Sequence, residues 1–248
     1  MRNNLVEKLA NKKTFTIEDA QKTSSINKAV LRVILSRLQK QGYIERIEKG
    51  KYMIIPLGAK KGAYTLDEFV IGSLLVTPSI VAYWSALHYH GLTEQIPRTV
   101  FLQTTARKKK QEIIIFGVTY KIVRIKKEKI FGTEYAWFED KKITITDKEK
   151  TIIDCLDKPH YSGGIIEVAK ALKTQDYDTQ KLSVYVQQLK NTAVLRRLGY
   201  LCDTLHISIP LPTIQTRNYV MLDPTQPKTT TTHKKWRLII NEDIEVLE

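Results

Sequence analysis

Cysteine is scarce in this chain, with Cys155 and Cys202 the two among 248 residues. Secreted domains held by disulfides carry several closely spaced cysteines, so the sequence excludes a disulfide framework and predicts a reducing cytoplasm. Neither cysteine belongs to a C-x-x-C pair, and no H-x-x-x-H spacing accompanies them. The sequence therefore predicts no metal site and no cofactor.

Long apolar runs are also missing. The longest, FVIGSLLV at residues 69–76, is much shorter than the ~20 apolar residues that a membrane-spanning helix needs. The first thirteen residues, MRNNLVEKLANKK, have no apolar signal region. We therefore expect no membrane partner and a cytoplasmic location.

Acidic residues are in short supply, above all near the N-terminus. The chain has 40 Lys and Arg against 26 Asp and Glu, a net charge of +14. Residues 1–62 hold 14 basic and 5 acidic residues, a net +9, whereas residues 63–248 hold 26 and 21, a net +5. A basic segment joined to a more neutral one is typical of a nucleic-acid-binding module attached to a larger domain.

Apolar periodicity in the basic segment predicts helices rather than a solvated tail. A short helix is expected near residues 4–13, and Thr16, with Asp19 three residues later, predicts the start of a second helix. A third helix is expected to begin near Ser24–Ser25 and to end at Gly42. Its predicted apolar stripe consists of Ile26, Val30, Leu31, Ile34, Leu35 and Leu38.

Two short β-patterned runs, residues 43–47 and 51–55, follow the third helix. The turn Glu48-Lys49-Gly50 separates them, and Gly50 can adopt a positive φ. The order helix, helix, helix, hairpin predicts a winged helix-turn-helix DNA-binding domain over residues 1–58. In that fold the third helix enters the major groove of DNA.

The predicted DNA contacts fall on the third helix and on the hairpin. Arg and Lys can reach guanine edges, and Asn can reach adenine. Contacts to bases or nearby phosphates are predicted for Asn27, Lys28, Arg32 and Arg37, with Ser36 on the same polar face. Lys40, Lys49 and Lys51 are predicted to contact phosphates. Each phosphate contact releases counterions, so we expect affinity to fall steeply with salt.

A segment rich in Pro, Gly and Lys, residues 56–64, predicts a boundary before a second domain over residues 63–248. Runs of alternating apolar and polar residues in this domain predict strands, and runs with helical periodicity predict helices. We therefore expect a larger mixed α/β domain with a small sheet flanked by helices. The whole chain is therefore expected to be α+β. A basic run between two strands predicts an exposed loop and a candidate secondary DNA contact. That run consists of Arg107, Lys108, Lys109 and Lys110.

The segment SALHYHGLTEQIP, residues 85–97, raises the question of a metal or catalytic site. Residues two apart on a helix point about 200° apart, so His88 and His90 do not share a face, and zinc ligands on one helix need i, i+4 spacing. Gly91 suits the end of a helix, and Thr77–Pro78 suits the start of one. We expect a buried helix followed by a turn, with no catalytic role for either histidine.

Two segments of the second domain resemble the AbiEi family of antitoxins, which belong to abortive-infection toxin–antitoxin pairs. The first element is matched by Ser85, Ala86, Leu87, Gly91, Leu92, Thr93 and Pro97. The second is matched by Thr146, Glu149, Thr151, Asp154, Gly163 and Gly164. Lys150 stands where arginine is commoner in the family. The resemblance covers roughly residues 1–200.

The resemblance implies a transcriptional autorepressor that binds double-stranded DNA at its own promoter, where inverted repeats are expected. It also implies a phage-defence antitoxin that counteracts a nucleotidyltransferase-like toxin, and no enzymatic activity. Whether the chain contacts that toxin directly is left open by the sequence, as are its oligomeric state and its operator.

Two alternatives are compatible with the residues alone. A plasmid or phage protein of replication or partition would share the basic domain. A metal-dependent nuclease would use Asp140, Asp147 and Glu149 around Mg²⁺. Asp147 and Glu149 also suit the first turn of a helix, and the local pattern favours that interpretation.

Overall fold

A computed structural model of the chain describes residues 8–9, 13–56, 66–138 and 140–244. The protein is α+β, as expected, and divides into two compact units, Met1–Leu75 and Val76–Glu248. The predicted boundary segment lies mostly outside the described residues.

The first unit contains the elements β1 (Thr14–Thr16), α1 (Ile17–Ser24), α2 (Lys28–Lys40), β2 (Ile44–Glu48), β3 (Lys51–Ile54) and α3 (Glu68–Leu75). Its strands form a small antiparallel sheet with strand order β1-β3-β2. Leu31, Leu35 and Leu38 of α2 are buried in a core with Phe15 and Ile44 of the sheet. The predicted helix near residues 4–13 lies largely outside the described residues. Of that segment the structure describes Lys8 and Leu9, which are helical, and Lys13.

The predicted cap of α1 is confirmed. The backbone N–H of Asp19 donates to Oγ1 of Thr16 at 3.1 Å, and the N–H of Thr16 donates to the Asp19 carboxylate at 2.9 Å. The predicted hairpin is confirmed as well, because Lys49 and Gly50 form the turn between β2 and β3. Gly50 takes a φ of +79°, a conformation that glycine adopts at little cost.

The expected start of the next helix was wrong. Helix α2 begins at Lys28 rather than near Ser24–Ser25. Ser25 instead ends α1 with a left-handed φ of 55°. Asn27 then caps α2, because its Oδ1 accepts the N–H of Ala29 at 2.8 Å.

The second unit contains a six-stranded mixed sheet. Its strands are β4 (Ile80–Val81), β5 (Thr99–Thr104), β6 (Glu112–Ile115), β7 (Val118–Arg124), β8 (Thr133–Phe138) and β9 (Lys141–Thr146). Their order in the sheet is β6-β7-β5-β4-β9-β8. Its helices are α4 (Tyr83–Tyr89), α5 (Lys148–Asp157), α6 (Ile165–Lys173), α7 (Thr179–Leu189) and α8 (Thr192–Thr204). Strands β10 (Val220–Met221), β11 (Thr232–His233) and β12 (Leu238–Ile239) form a separate small sheet.

The predicted helix start at Thr77–Pro78 was wrong. Ile80–Val81 form a short strand that pairs with β5 on one side and with β9 on the other. Those two partners satisfy the backbone of a buried apolar pair, so tertiary pairing overrides the local helical pattern. Helix α4 begins only at Tyr83.

Helix α5 lies at the centre of the second core. Ile152, Ile153 and Leu156 are fully buried there, among apolar side chains from α4, α6, α7 and α8. Burial of this kind, about 25 cal/mol for each Å² of apolar surface, is the main force that holds the unit together. In the part of the chain that the structure describes, no helix is long and apolar enough to cross a bilayer.

Candidate nucleic-acid interface

Helix α2 exposes positive charge without any carboxylate of its own. Its sequence, KAVLRVILSRLQK, contains four basic residues and no acidic one. The leucines at 31, 35 and 38 face the core, so the opposite face is open to solvent. The exposed polar residues on that face are Arg32, Ser36, Arg37 and Lys40. Helix α2 therefore presents a surface of one sign, which attracts polyanions.

A cleft of about 490 Å³ separates α2 from the hairpin formed by β2 and β3. Arg32 lines the cleft from the helix, and Arg46 and Lys49 line it from the hairpin. Among the described residues, no ion pair engages Arg32 or Lys49. We call Arg32, Arg46 and Lys49 the cleft cations. Three positively charged side chains that line one cleft favour the binding of a phosphate group.

Lys28 also lines the cleft but already has a partner. Its Nζ lies 2.6 Å from Oε1 of Glu18, and both side chains are about half exposed to solvent. The hydrogen bond from Lys28 lowers the pKa of the Glu18 carboxyl. A phosphate contact by Lys28 would have to compete with Glu18, so Lys28 adds less positive charge than the cleft cations.

Two more of the predicted DNA contacts are engaged inside the unit. The side chain of Asn27 caps α2, which occupies the oxygen that base recognition would use. Lys51 Nζ lies 3.0 Å from Oε2 of Glu48 and donates to the carbonyl of Leu75 at 3.4 Å. The structure thus groups Arg32, Ser36, Arg37, Lys40 and Lys49 as exposed, and places Asn27, Lys28 and Lys51 in contacts within the unit.

Arg46 also lines the cleft, although no periodic pattern in the sequence predicts it. Strict alternation along β2 would place Arg46 on the same face as the buried Ile44. The register shifts between Arg46 and Glu48, and Ile47 is buried in its turn. This irregularity leaves Arg46 exposed, with Nε donating to the Glu48 carbonyl at 3.3 Å. The sequence does contain one signal for Arg46 as a cleft residue, namely a basic residue two positions before the predicted Glu-Lys-Gly turn.

The basic run of the second unit lies in an exposed connection between β5 and β6, as predicted. Arg107, Lys109 and Lys110 are exposed, and Lys108 is partly buried. A smaller cleft, of about 230 Å³, is lined by Arg107, Lys108 and Arg124. These residues form a second basic surface, which belongs to the second unit.

The residues behind the AbiEi resemblance have structural roles. Oγ of Ser85 donates to the carbonyl of Thr99 at 3.2 Å and accepts the N–H of Phe101 at 2.9 Å, which joins α4 to β5. A Cβ at Gly163 would lie 3.0 Å from the ring of Trp84, which would have to shift, and the φ of +80° also favours glycine there. Gly164, with a φ of +94°, leads into α6, where Asp223 accepts the N–H of Ile165 at 2.6 Å.

Lys150 and Asp154 form a buried ion pair on α5. Their side chains are 1% and 4% exposed, and Nε2 of Gln103 donates to Oδ2 of Asp154 at 2.7 Å. Burial raises the pKa of Asp154, and the contact with Lys150 opposes that shift. The pair therefore contributes to the architecture of the core, since neither charge is accessible to a ligand.

Two of the three carboxylates proposed for a nuclease, Asp147 and Glu149, are engaged within the fold, whereas Asp140 lies exposed in the turn between β8 and β9. Asp147 caps α5, with Oδ1 accepting the N–H of Lys150 at 2.8 Å, as predicted. Lys181 Nζ lies 3.1 Å from Asp147 and 2.7 Å from Glu149. Burial, followed by the hydrogen bond to Asp147, raises the pKa of Tyr185 to about 12. Across the described ranges, no group of three or more His, Cys, Asp or Glu side chains is placed to hold a metal.

The histidine segment ends a helix, as predicted. His90 follows α4, Gly91 has a φ of +68°, and the N–H of Leu92 donates to the Leu87 carbonyl at 2.9 Å. Nε2 of His90 lies 2.7 Å from the carbonyl oxygen of Thr146, whereas His88 is exposed. The two rings therefore lie in different environments and do not share a ligand.

Both cysteines are buried thiols without a disulfide. Burial raises the pKa of Cys155, and it raises the pKa of Cys202 to about 12. Thiols in this state are poor nucleophiles and poor metal ligands at neutral pH.

No protein-family model matches the sequence, and no curated protein matches it. The fold is similar to the crystal structure of the RV2827C protein from Mycobacterium tuberculosis, with a TM-score of 0.66 and 14% sequence identity. The similarity covers 96% of this chain and 90% of that one. At this level of identity the likeness concerns the fold alone.

Proposed function

We propose that this chain is a DNA-binding autorepressor and antitoxin of a toxin–antitoxin operon, with the first unit acting as a winged helix-turn-helix. The observation that carries the DNA-binding half is the exposed, carboxylate-free surface of α2 beside the cleft cations. Helix α2 would enter the major groove, and the hairpin would contact the adjacent backbone.

The distribution of charge divides the expected contacts into two kinds. Arg32 and Arg37 lie on the helix that would enter the groove, where a guanidinium group can pair with guanine O6 and N7 or with a nearby phosphate. Arg46 and Lys49 lie on the hairpin, where they would contact phosphates and fix the orientation of the helix. Binding would therefore combine a salt-dependent phosphate contribution with a sequence-dependent contribution from the groove.

The decisive experiment measures binding to the DNA upstream of the chain's own gene, with scrambled DNA of equal length as competitor, across a salt series. We expect a preference for the upstream duplex and a steep fall in affinity with salt. Arg32→Ala should weaken binding to the upstream duplex about tenfold or more.

Arg217→Ala is the matched control, because Arg217 is an exposed arginine of the second unit. It removes the same charge and should leave the preference intact. Equal binding to upstream and scrambled DNA at physiological salt, or equal losses in the two variants, would contradict the proposal.

The antitoxin half rests on the AbiEi resemblance and needs a separate test. A nucleotidyltransferase-like reading frame next to this gene would be expressed from an inducible promoter, with and without the chain. We expect growth arrest without the chain and recovery with it. Recovery that persists in Arg32→Ala would assign the antidote activity to a surface other than α2. Continued arrest with the wild-type chain present would refute this half.

A further inference from the structure

Helix α2 exposes two valines at its centre. Val30 is 53% exposed and Val33 is 52% exposed, although the sequence pattern placed Val30 in the buried stripe. Val33 lies three residues after Val30, so the two side chains are neighbours on one face. Ala29, also exposed, extends this surface toward the start of the helix. We call Ala29, Val30 and Val33 the apolar face of α2.

An exposed valine contributes little to the stability of this unit. Branching at Cβ restricts χ1 in a helix and lowers helix propensity relative to alanine, lysine or glutamate. Burial would offset that cost, but the core of the unit is filled by Leu31, Leu35 and Leu38 instead. The apolar face is therefore better explained by a contact outside the chain than by folding.

The residues around the apolar face of α2 indicate which kind of molecule binds to it. Arg32, Arg37 and Lys40 flank the valines on the same helix, and no carboxylate of α2 accompanies them. A hydrophobic patch flanked by three cations of the same helix fits a surface that is anionic at its edges and has methyl groups between them. The major groove of DNA has that character, because thymine displays its C5-methyl group between two phosphate backbones.

We infer that the apolar face of α2 reads thymine by contact with its C5-methyl group. This inference rests on the proposed DNA binding and adds the base that the helix would select. Valine has no side-chain hydrogen-bond donor or acceptor, so it distinguishes thymine from cytosine only through that methyl. Burying one methyl changes affinity by about fourfold, so a site with two such contacts should discriminate by about fifteenfold.

The test deletes the methyl groups from the DNA. The duplex upstream of the gene is amplified once with dTTP and once with dUTP, which replaces thymine by uracil and leaves the hydrogen-bonding edges unchanged. Binding of the full chain to both duplexes is compared with that of the double variant Val30→Ala/Val33→Ala. Alanine favours the helix, so a loss of binding in this variant does not reflect unfolding, and circular dichroism would confirm the fold.

We expect the wild-type chain to bind the thymine duplex about fourfold or more tightly than the uracil duplex. The double variant should bind the two duplexes within about twofold of each other. Val184→Ala, which changes an exposed helical valine of the second unit, should keep the wild-type ratio.

The outcomes separate this inference from the function on which it rests. Equal binding of the wild-type chain to both duplexes, with the preference for upstream over scrambled DNA intact, would overturn the thymine contact alone. A thymine preference that survives in the double variant would also overturn it, because uracil would then act through the shape of the duplex. Absence of any preference for upstream DNA, in either form, would overturn both.

Discussion

Helix α2 of the first unit and helix α5 of the second both carry lysine or arginine, but the two helices place these charges in opposite environments. On α2, Arg32 and Arg37 are exposed, and the described residues supply them with no ion-pair partner. On α5, Lys150 is buried against Asp154. Burial of a charge is tolerated only when a partner compensates it, whereas an exposed charge needs none.

This contrast assigns different purposes to similar residue types. The charges around α5 hold elements of one unit together, and their removal should affect stability. The charges on α2 are left available, and their removal should affect binding while leaving stability almost unchanged. The same distinction separates the residues behind the AbiEi resemblance, which are architectural, from the residues on which the proposed DNA binding depends.

The largest expected effect comes from breaking the buried pair. Lys150→Met should lower the free energy of unfolding by about 3–5 kcal/mol, because Asp154 would remain buried without its cation. Urea denaturation of the purified variant measures the loss. Lys234→Met, at an exposed position, is the control and should change stability by less than about 0.5 kcal/mol. A loss below about 1 kcal/mol in Lys150→Met would mean that the pair is not structural.

A smaller effect is expected at the start of α2. Asn27→Ala should destabilise the protein by about 1 kcal/mol, because the N–H of Ala29 loses its acceptor. Asn27→Ser keeps a capping oxygen and should restore stability. Upstream-DNA affinity of the serine variant decides the role of Asn27. Unchanged affinity supports a capping role, whereas a tenfold loss at normal stability would restore Asn27 as a base contact.

The smallest expected effect is the difference in DNA binding between variants of two lysines in the same hairpin. Lys49→Ala should weaken DNA binding severalfold and lower the slope of log affinity against log salt by about 1, as expected for one lost phosphate contact. Lys51→Ala should change the slope much less, because its ammonium already pairs with Glu48. Anisotropy titrations at several salt concentrations measure both slopes. Equal changes in the two variants would show that the Glu48 pair does not restrain Lys51.

Much of the fold could be predicted because its signals are local. The caps at Thr16 and Asp147 and the helix end at Gly91 depend on residues within five positions of each other. Strands β5, β6 and β7 lie in runs rich in β-branched and aromatic residues, with a turn at Gly117 between β6 and β7. In each case the interacting groups are neighbours in sequence, so the pattern contains the information.

The errors arose where local signals competed. Ser24, Ser25 and Asn27 are all good helix-capping residues, and the choice among them followed from where α1 ends. Ile80–Val81 belong to an apolar run that suits a helix as well as a buried strand. Their pairing with β5 and β9 decided between the two, and β9 lies more than sixty residues away in sequence.

The candidate site was predictable only in part for the same reason. The exposure of Arg32 and Arg37 follows from the helical period of the leucines opposite them. The pairing of Lys28 with Glu18 joins two elements, and the exposure of Arg46 depends on an irregular strand register. No periodic pattern predicts either.

The sequence by itself determined the α+β character, the concentration of positive charge near the N-terminus and most helix and strand identities, because composition and short-range periodicity specify them. Tertiary structure alone decided which charged side chains form ion pairs within the fold and which remain unpaired on its surface. The reason is physical: an ion pair such as Lys181 with Asp147 and Glu149 forms between residues that only the folded chain brings within 4 Å. The exposure of Val30 and Val33 was decided in the same way, by which face of α2 the core accepted.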